Sequence, residues 1–237
     1  MKVLNSETKE KNPKISKRDI FILVLMVCTA VLITAAGIHF KQDFLNILPL
    51  YISLIIGMLQ SRVNRYASLM GSMNSLLYGA VYVYYNLYGS ALSAFLFSCP
   101  IQLLTFIRWN KNKWEHSTKL RKLSGKQRLL VMAGFVVALV AMWIILPLIG
   151  SQYVFLDSLT NLLGILIYFL TMFAYVEYTF LMIINGIIGT ALYISMLGNT
   201  PEMTTYLIFS VYSFICIVFA FFKAGKLYDS QKSEVKK

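Results

Sequence analysis

Four carboxamide side chains interrupt the long apolar segments of this 237-residue chain: Asn74, Gln102, Asn161 and Asn185. A polar group within a membrane-spanning helix is costly, so it usually faces the interior of the helix bundle, where it pairs or binds something. A carboxamide can both donate and accept hydrogen bonds. We therefore treat these four as candidate substrate-binding residues. The alternative is that they only form hydrogen bonds that hold neighbouring helices together.

Three tyrosines, Tyr78, Tyr168 and Tyr193, are predicted at mid-helix depth and complete the candidate substrate-binding set. Aromatic faces can stack a flat heteroaromatic ring, and a cationic ring gains about 1–2 kcal/mol from cation–π attraction when it is desolvated. The alternative is that these side chains only pack. Tyrosines near predicted helix ends, such as Tyr51 and Tyr66, are typical of the aromatic belt at the membrane interface.

Groups that could catalyse a reaction or hold a metal ion are missing from the predicted helix centres. An intramembrane enzyme needs carboxylates or histidines at depth, whereas His39 and His116 are predicted at a helix end and in a polar loop. Asp157 and Glu177 are interpreted as solvated charges at helix ends, with proton coupling or attraction of a cation as the alternatives. No phosphate-binding G-x-x-x-x-G-K-[ST] sequence is present. We therefore expect no enzymatic activity, no catalytic or metal-ligating residue, no cofactor and no direct use of ATP.

The composition indicates an integral membrane protein. Hydrophobic residues make up 58% of the chain and charged residues only 14%, with a mean hydropathy of +0.66, whereas soluble domains are about 25% charged. Backbone groups in hydrocarbon must be hydrogen-bonded within their own segment, which predicts helices. The net charge of +12 lies in the tails and between apolar runs rather than on a folded polar domain. It therefore indicates orientation in the lipid bilayer and not a nucleic-acid partner.

Eight transmembrane helices are predicted, and the distribution of Lys and Arg sets their direction. If the eight segments alternate across the bilayer, 21 of the 22 cationic residues lie on one side and only Lys41 on the other. The positive-inside bias then predicts both termini in the cytoplasm of a multi-pass protein of the inner (plasma) membrane. The predicted segments are residues 20–40, 44–60, 66–86, 89–108, 128–149, 155–173, 178–197 and 203–222.

Two similar stretches suggest an internal repeat. Gly71 to Tyr78 (GSMNSLLY) and Gly186 to Tyr193 (GIIGTALY) share the initial glycine, a small hydroxyl residue and a final Leu-Tyr. Each lies in the middle of three consecutive predicted helices. Because one helix separates the two triplets, they run in the same sense and are related by an axis along the membrane normal.

This repeat predicts an all-α fold. Two repeats of three helices are separated by one linker helix, and one extra helix precedes the first repeat. The basic loop at its centre is expected to lie against anionic lipid. The predicted units are a basic cytoplasmic tail (1–19), the extra N-terminal helix (20–40), the first repeat (44–108), a basic cytoplasmic loop (109–127), a linker helix (128–149), the second repeat (155–222) and a cytoplasmic tail (223–237).

These residues resemble the Pnu-type (PnuC-like) vitamin transporters over roughly Tyr51 to Ala224. The first half resembles the family in Arg62-x-Asn64, Gly71, Leu76-Leu77-Tyr78, Leu87-Tyr88, Gln102 and Arg108-Trp109. The second half does so in Leu156-Asp157-Ser158-Leu159-Thr160-Asn161 and in Leu192-Tyr193. The chain departs from the family pattern in its tryptophans, with Phe169 and Met182 where tryptophan is expected and Tyr168 where glutamine is common.

The resemblance implies a fold like that of the SWEET sugar transporters, with a central substrate site. It implies import of nicotinamide riboside by facilitated diffusion, followed by phosphorylation in the cytosol by a kinase that traps the vitamin. A carboxamide such as Asn74 or Asn185 suits a ribose hydroxyl or the nicotinamide amide. Some relatives assemble as trimers, which makes a homotrimer the expected assembly. Thiamine or riboflavin as the vitamin, or a role as the substrate-binding subunit of a larger uptake system, stay open as alternatives.

Overall fold

The protein is all-helical, with eight α-helices in the part of the chain that the structure describes. The computed structural model describes residues 17–84, 94–148, 154–198 and 200–234. A π-helical turn, Ala94–Ser98, precedes the fourth helix, a 3₁₀ turn, Pro201–Met203, precedes the eighth, and strands β1 (Lys113–Trp114) and β2 (Ser117–Thr118) form a short antiparallel hairpin. The helices are α1 (Lys17–His39), α2 (Phe44–Ser61), α3 (Tyr66–Tyr84), α4 (Cys99–Lys111), α5 (Gly125–Leu148), α6 (Val154–Met172), α7 (Tyr178–Met196) and α8 (Thr204–Glu234).

The all-helical prediction is confirmed, and each helix overlaps a predicted segment. Within the described residues, four stretches are long and apolar enough to cross a membrane: α1, α2, α7 and Pro201–Glu234. That all eight helices cross stays a prediction. The predicted end of the third segment and start of the fourth lie outside the described residues. The last helix continues to Glu234, beyond residue 222, where the predicted apolar segment ends.

The helices pack as two groups of three. Within α2–α4 and within α6–α8, each helix contacts the next along the chain. The groups meet where α2 packs against α8 and where α4 packs against α6. Outside these groups, α1 packs against α2 and α8, and α5 packs against α6. The first helix of each group therefore contacts the last helix of the other.

In the turn between α2 and α3, a residue with left-handed backbone conformation terminates α2. Val63 has φ 53°, a conformation that is rare for a β-branched residue. Its N–H donates to Gln60 O (2.8 Å) and the N–H of Asn64 donates to Leu59 O (3.1 Å). These bonds satisfy carbonyls at the end of α2, as in a Schellman motif. The Val63 side chain is only 2% exposed, so its burial offsets the backbone strain.

The turn between α6 and α7 has the same geometry. Ala174 has φ 59°, and its N–H donates to Thr171 O (2.9 Å). The N–H of Tyr175 donates to Leu170 O (2.9 Å). The two groups of helices thus share the conformation of their first turn as well as their order of packing.

Residues 113–124, here called the central strap, connect these two turns. The N–H of Arg65, in the first turn, donates to His116 O (3.1 Å). In the second turn, Val176 N–H donates to Arg121 O (2.9 Å) and Arg121 N–H donates to Ala174 O (2.8 Å). Both turns are therefore hydrogen-bonded to one short segment of backbone.

The end of α8 also holds the central strap. Gln231 is 8% exposed; its Oε1 accepts from Leu120 N–H (2.8 Å) and its Nε2 donates to Thr118 O (2.9 Å). The α8 extension therefore packs inward rather than forming a free tail. That the basic segment also lies against anionic lipid stays a prediction.

Glu177 is bound rather than solvated, which corrects the prediction for this residue. Its Oε1 accepts from the N–H of Leu123 (3.1 Å) and from Nη2 of Arg128 (2.9 Å). The carboxylate thus joins the α6–α7 turn both to the central strap and to the beginning of α5.

The extra helix α1 is fastened near its first residues to α2 and α8. Nη2 of Arg18 donates to Ser61 O (2.8 Å) and to Phe219 O (3.2 Å), and Asp19 forms an ion pair with Arg62 (3.1 Å). One guanidinium therefore satisfies backbone carbonyls of two helices at the α2–α8 contact.

Aromatic side chains make a buried hydrogen bond at each contact between the two groups. The hydroxyl of Tyr212, in α8, donates to Leu54 O in α2 (2.7 Å), and Nε1 of Trp109, in α4, donates to Thr171 O in α6 (2.7 Å). Tyr212 is 1% and Trp109 is 3% exposed. A buried hydroxyl or indole N–H that has no acceptor is costly, so these two bonds favour the observed packing of the two groups.

Tyr212→Phe removes the bond to Leu54 and keeps the ring. We expect a loss of about 1 kcal/mol of stability, measured as a lower midpoint of thermal unfolding of the purified protein in detergent. Tyr66→Phe is the matched control, because Tyr66 is 45% exposed. Equal midpoints for the two variants would contradict a stabilising role for the Tyr212 bond.

Candidate functional site: a polar cavity between α2 and α6–α8

The larger interior cavity lies between α6, α7 and α8, with one side chain of α2 at its edge. It has a volume of about 440 Å³, within the range of 300–1,000 Å³ that is typical of small-molecule sites. Polar side chains reach it from all four helices: Gln60 from α2, Tyr168 from α6, Asn185, Thr190 and Tyr193 from α7, and Ser210 and Ser213 from α8.

Two carboxamides at this cavity have hydrogen-bonding capacity left over. Asn185 Oδ1 is buried and has no partner among the described residues. The Gln60 carboxamide forms no side-chain hydrogen bond within the described part of the chain either, although Gln60 lines the cavity. Buried polar atoms are rarely left unpaired. Asn185 Oδ1 can therefore accept a hydrogen bond from a ligand, and the half-buried Gln60 carboxamide can both donate and accept.

Aromatic rings and hydroxyls form the rest of the polar wall. Phe209 and Phe214 line the cavity with the two tyrosines, and the rings of Tyr193 and Tyr206 lie 5.9 Å apart at 37°. Ser210 and Ser213 add hydroxyls from α8. The cavity can thus accept a flat ring at its aromatic faces and a polyhydroxyl group beside α8.

A smaller cavity of about 60 Å³ continues from the larger one toward the central strap. Both are lined by Gln60, Ile167, Tyr168 and Met182, so these side chains form the constriction between them. Gln102 lines the smaller cavity.

An apolar cluster closes the passage on the strap side. Val63, Trp109 and Tyr178 line the smaller cavity and belong to a buried cluster that also contains Leu120 of the central strap. The rings of Trp109 and Tyr178 meet edge to face at 6.3 Å. Buried apolar side chains therefore lie between the smaller cavity and the central strap.

The predicted site residues are distributed unequally around these cavities. Tyr168, Asn185 and Tyr193 line the larger cavity and Gln102 lines the smaller one. Tyr78 lines neither and makes another contact. The side chain of Asn161 lies outside the described part of the structure.

Asn74 is placed between α2 and α3 and lines neither cavity. It is 4% exposed, and its Nδ2 donates to Pro49 O (3.2 Å) and to Ser53 Oγ (2.9 Å). These contacts match the alternative from the sequence, in which an intramembrane carboxamide holds two helices together.

Gln60 is a cavity residue that sequence reasoning missed, as are Ser210 and Ser213. It was placed at the last position of the predicted second segment, where a polar residue is expected at the membrane boundary. The helix continues to Ser61 and the strap covers the turn beyond it, so Gln60 faces the interior. The available signal was a carboxamide in the last turn of an apolar helix.

Comparison with known proteins identifies the family. The family model described as "Nicotinamide mononucleotide transporter" matches residues 43–223, which is most of the chain. The chain belongs to this transporter family. The family expected from the sequence resemblance is thus confirmed, and the chain is a membrane transporter rather than an enzyme.

A solved structure supports the fold. The crystal structure of the vitamin B3 transporter PnuC aligns with a TM-score of 0.72 and 21% sequence identity, covering 90% of this chain and 97% of that one. No curated protein matches the chain.

Water access to the larger cavity can be tested at a glycine. A β-carbon at Gly189, which lines the cavity, or at Gly134, on α5, meets no atom within 4 Å. In a background with Cys28, Cys99 and Cys216 replaced by alanine, we expect Gly189→Cys to react with a small water-soluble thiosulfonate. Gly134→Cys, the matched control on the linker helix, should react at least tenfold more slowly because thiolates form poorly in an apolar environment. Equal rates would contradict a water-filled cavity at Gly189.

Proposed function

We propose that the protein imports nicotinamide riboside by facilitated diffusion and binds it in the larger cavity. The observation that carries this proposal is a cavity of suitable volume in which Asn185 Oδ1 is buried without a partner among the described residues. The sequence resemblance and the family match support the same substrate class.

The groups around the cavity complement the parts of this molecule. The nicotinamide amide can donate to Asn185 Oδ1 and exchange hydrogen bonds with Gln60. The pyridinium ring is flat and cationic, which suits the faces of Tyr168 and Tyr193. The ribose hydroxyls match the hydroxyls of Ser210 and Ser213 on α8.

The family is described by its transport of nicotinamide mononucleotide. In this chain, the absence of charged side chains around the two interior cavities, among the described residues, favours nicotinamide riboside as the substrate. Among the described residues, no Lys, Arg, His, Asp or Glu lines either interior cavity. A buried phosphate needs cationic or other strong donors to replace its hydration. A riboside, whose single positive charge lies on an aromatic ring, has no such requirement.

We also propose that α2–α4 and α6–α8 are the two parallel repeats, with α5 as the linker. In the first, the hydroxyl of Ser75 donates to Gly71 O (2.9 Å) and accepts from Gln102 of α4 (2.9 Å). The Gln102 side chain also occupies the space that a β-carbon at Gly71 would need.

The second group has matching contacts. Thr190 Oγ1 lies 2.8 Å from Gly186 O and 3.2 Å from Ser210 Oγ of α8. A β-carbon at Gly186 would meet the Phe214 ring of α8 at 3.1 Å. In both groups a glycine of the middle helix therefore admits a side chain of the last helix. These paired contacts support the duplication, together with the matching turns and the crosswise packing.

Rocking of one repeat against the other would expose the cavity alternately to each side. The positive-inside bias assigns the central strap to the cytoplasm, so the described state is closed inward. Opening would separate the two turns that the strap joins. No ATP-binding sequence is encoded, so net import would rest on the gradient and on a cytosolic kinase that traps the product. We extend the proposal to the inner membrane, with both termini cytoplasmic, and to a homotrimer.

Uptake into proteoliposomes tests the substrate. We expect saturable flux of radiolabelled nicotinamide riboside that equilibrates without ATP or an ion gradient, and little flux of nicotinamide mononucleotide. Thiamine and riboflavin in the same assay distinguish the related vitamins. Saturable flux of thiamine or riboflavin, with no flux of nicotinamide riboside, would contradict the substrate assignment. Absence of flux for every substrate would contradict the uniport proposal.

Asn185→Leu and Tyr193→Ala test the site. Loss of the Asn185 carbonyl leaves the substrate amide unpaired, at about 1–3 kcal/mol, which corresponds to a rise in Kd of about 5- to 150-fold. We expect Tyr193→Ala to weaken binding several-fold, and both variants to remain in the membrane. Asn46→Leu is the control, because it also removes a carboxamide but Asn46, on α2, lines neither cavity. Wild-type affinity in both site variants would place the binding site elsewhere.

Gln231→Ala tests the strap as part of the inward gate. It removes both side-chain bonds to the strap backbone, so we expect the amide of Leu120 to exchange hydrogen about tenfold faster, in line with about 1–1.5 kcal/mol per lost bond. Lys232→Ala, at the exposed neighbouring position, should leave exchange unchanged. Equal protection in the two variants would show that Gln231 does not hold the strap.

A further inference from the structure

A third cavity, here called the lateral groove, lies outside the substrate pathway. It has a volume of about 620 Å³ and is lined by α5, α6 and α7. Its lining is apolar along its length, with the ion pair of Arg128 and Glu177 at one end. The floor consists of leucines of α6 at helical spacing: Leu159, Leu163, Leu166 and Leu170.

The walls of the lateral groove are open to the surroundings of the protein. Met132 and Val136 on α5 are 66% and 56% exposed, and Phe180 on α7 is 54% exposed. In a bilayer these side chains face hydrocarbon. Water would find few polar partners along the leucine floor, so an apolar chain is the occupant that the lining favours.

The dimensions of the groove match one lipid leaflet. From Leu159 to Leu170 the floor rises about 16 Å at 1.5 Å per residue. This is roughly half of the ~30 Å hydrocarbon core. The groove ends at the central strap, where the basic residues of the chain place the membrane surface. An acyl chain lying along the floor would therefore bring its headgroup to Arg128.

Arg128 can bind that headgroup while it keeps its ion pair. Its Nη2 donates to Glu177 Oε1 at 2.9 Å, and its side chain is still 51% exposed. A guanidinium has five N–H donors, so donors remain for a phosphate oxygen. The neighbouring strap adds Lys122 and Arg121, which makes this end basic and favours a headgroup with net negative charge.

We propose that the lateral groove binds one anionic phospholipid, with an acyl chain along the leucines of α6 and its phosphate at Arg128. Because Glu177 also accepts from the N–H of Leu123 in the central strap, the bound lipid contacts the element that joins the two repeats. The site is separate from the substrate cavity and does not depend on which vitamin is carried.

Native mass spectrometry of the delipidated full-length protein tests the proposal. With added phosphatidylglycerol we expect one adduct that survives collision energies that remove phosphatidylcholine. Arg128→Gln should lower the fraction of this adduct about tenfold, the size expected for losing a charge-assisted hydrogen bond. Glu177→Gln, which leaves Arg128 in place, should retain it. Lys126→Gln is the charge-matched control on α5, two residues away and therefore on the opposite side of the helix.

Filling the groove gives an independent test that leaves its charges unchanged. Ile184→Trp places a bulky side chain in the groove, whereas Ile187→Trp, on the 56%-exposed face of the same helix, does not. We expect only the first to lose the adduct. Equal retention of both lipids, or adducts unchanged by Arg128→Gln and Ile184→Trp, would overturn the proposal. A lipid-free oligomer that Ile184→Trp dissociates would also overturn it, by assigning the groove to a second copy of the chain.

Discussion

Hydrocarbon offers no hydrogen-bond partner, and this constraint governs where polar groups lie in this bundle. Asn74 bonds to α2, Tyr212 and Trp109 bond to backbone carbonyls across the two contacts between helix groups, and Arg18 satisfies two carbonyls at the α2–α8 contact. Against this background, the unpaired Oδ1 of Asn185 stands out because it is buried beside a cavity. Asn74 Oδ1 is also buried without a partner among the described residues, but it lines neither interior cavity. The position of Asn185 beside the larger cavity is therefore what makes it a candidate for binding a ligand.

The central strap gives the two helix groups a common attachment. One short segment bonds to the same position of two matching turns and is held by Gln231 of α8. Buried apolar side chains, including Leu120, fill the space between the turns and the smaller cavity. The strap is therefore held by backbone bonds, by the side chains of Gln231 and Glu177, and by apolar packing.

Periodic apolar segments were enough to predict helices that overlap those of the structure. The correspondence between the two groups of helices, suggested by a short glycine-hydroxyl-tyrosine similarity, stays a prediction. Tyr168, Asn185 and Tyr193 were predicted from residue type and depth alone. The roles of Asn74 and Gln60 depend on which helix or cavity their side chains contact in the folded protein. The local sequence pattern does not contain that information. The strap was also missed, because its bonds are made by backbone N–H and carbonyl groups that every residue carries.

A structure determined with bound nicotinamide riboside tests the central claim most directly. The account predicts the ligand between α6, α7 and α8, with its amide nitrogen within about 3 Å of Asn185 Oδ1 and its pyridinium ring against Tyr168 or Tyr193. Ligand density away from this cavity, or an Asn185 carbonyl that turns to a protein partner instead, would contradict it.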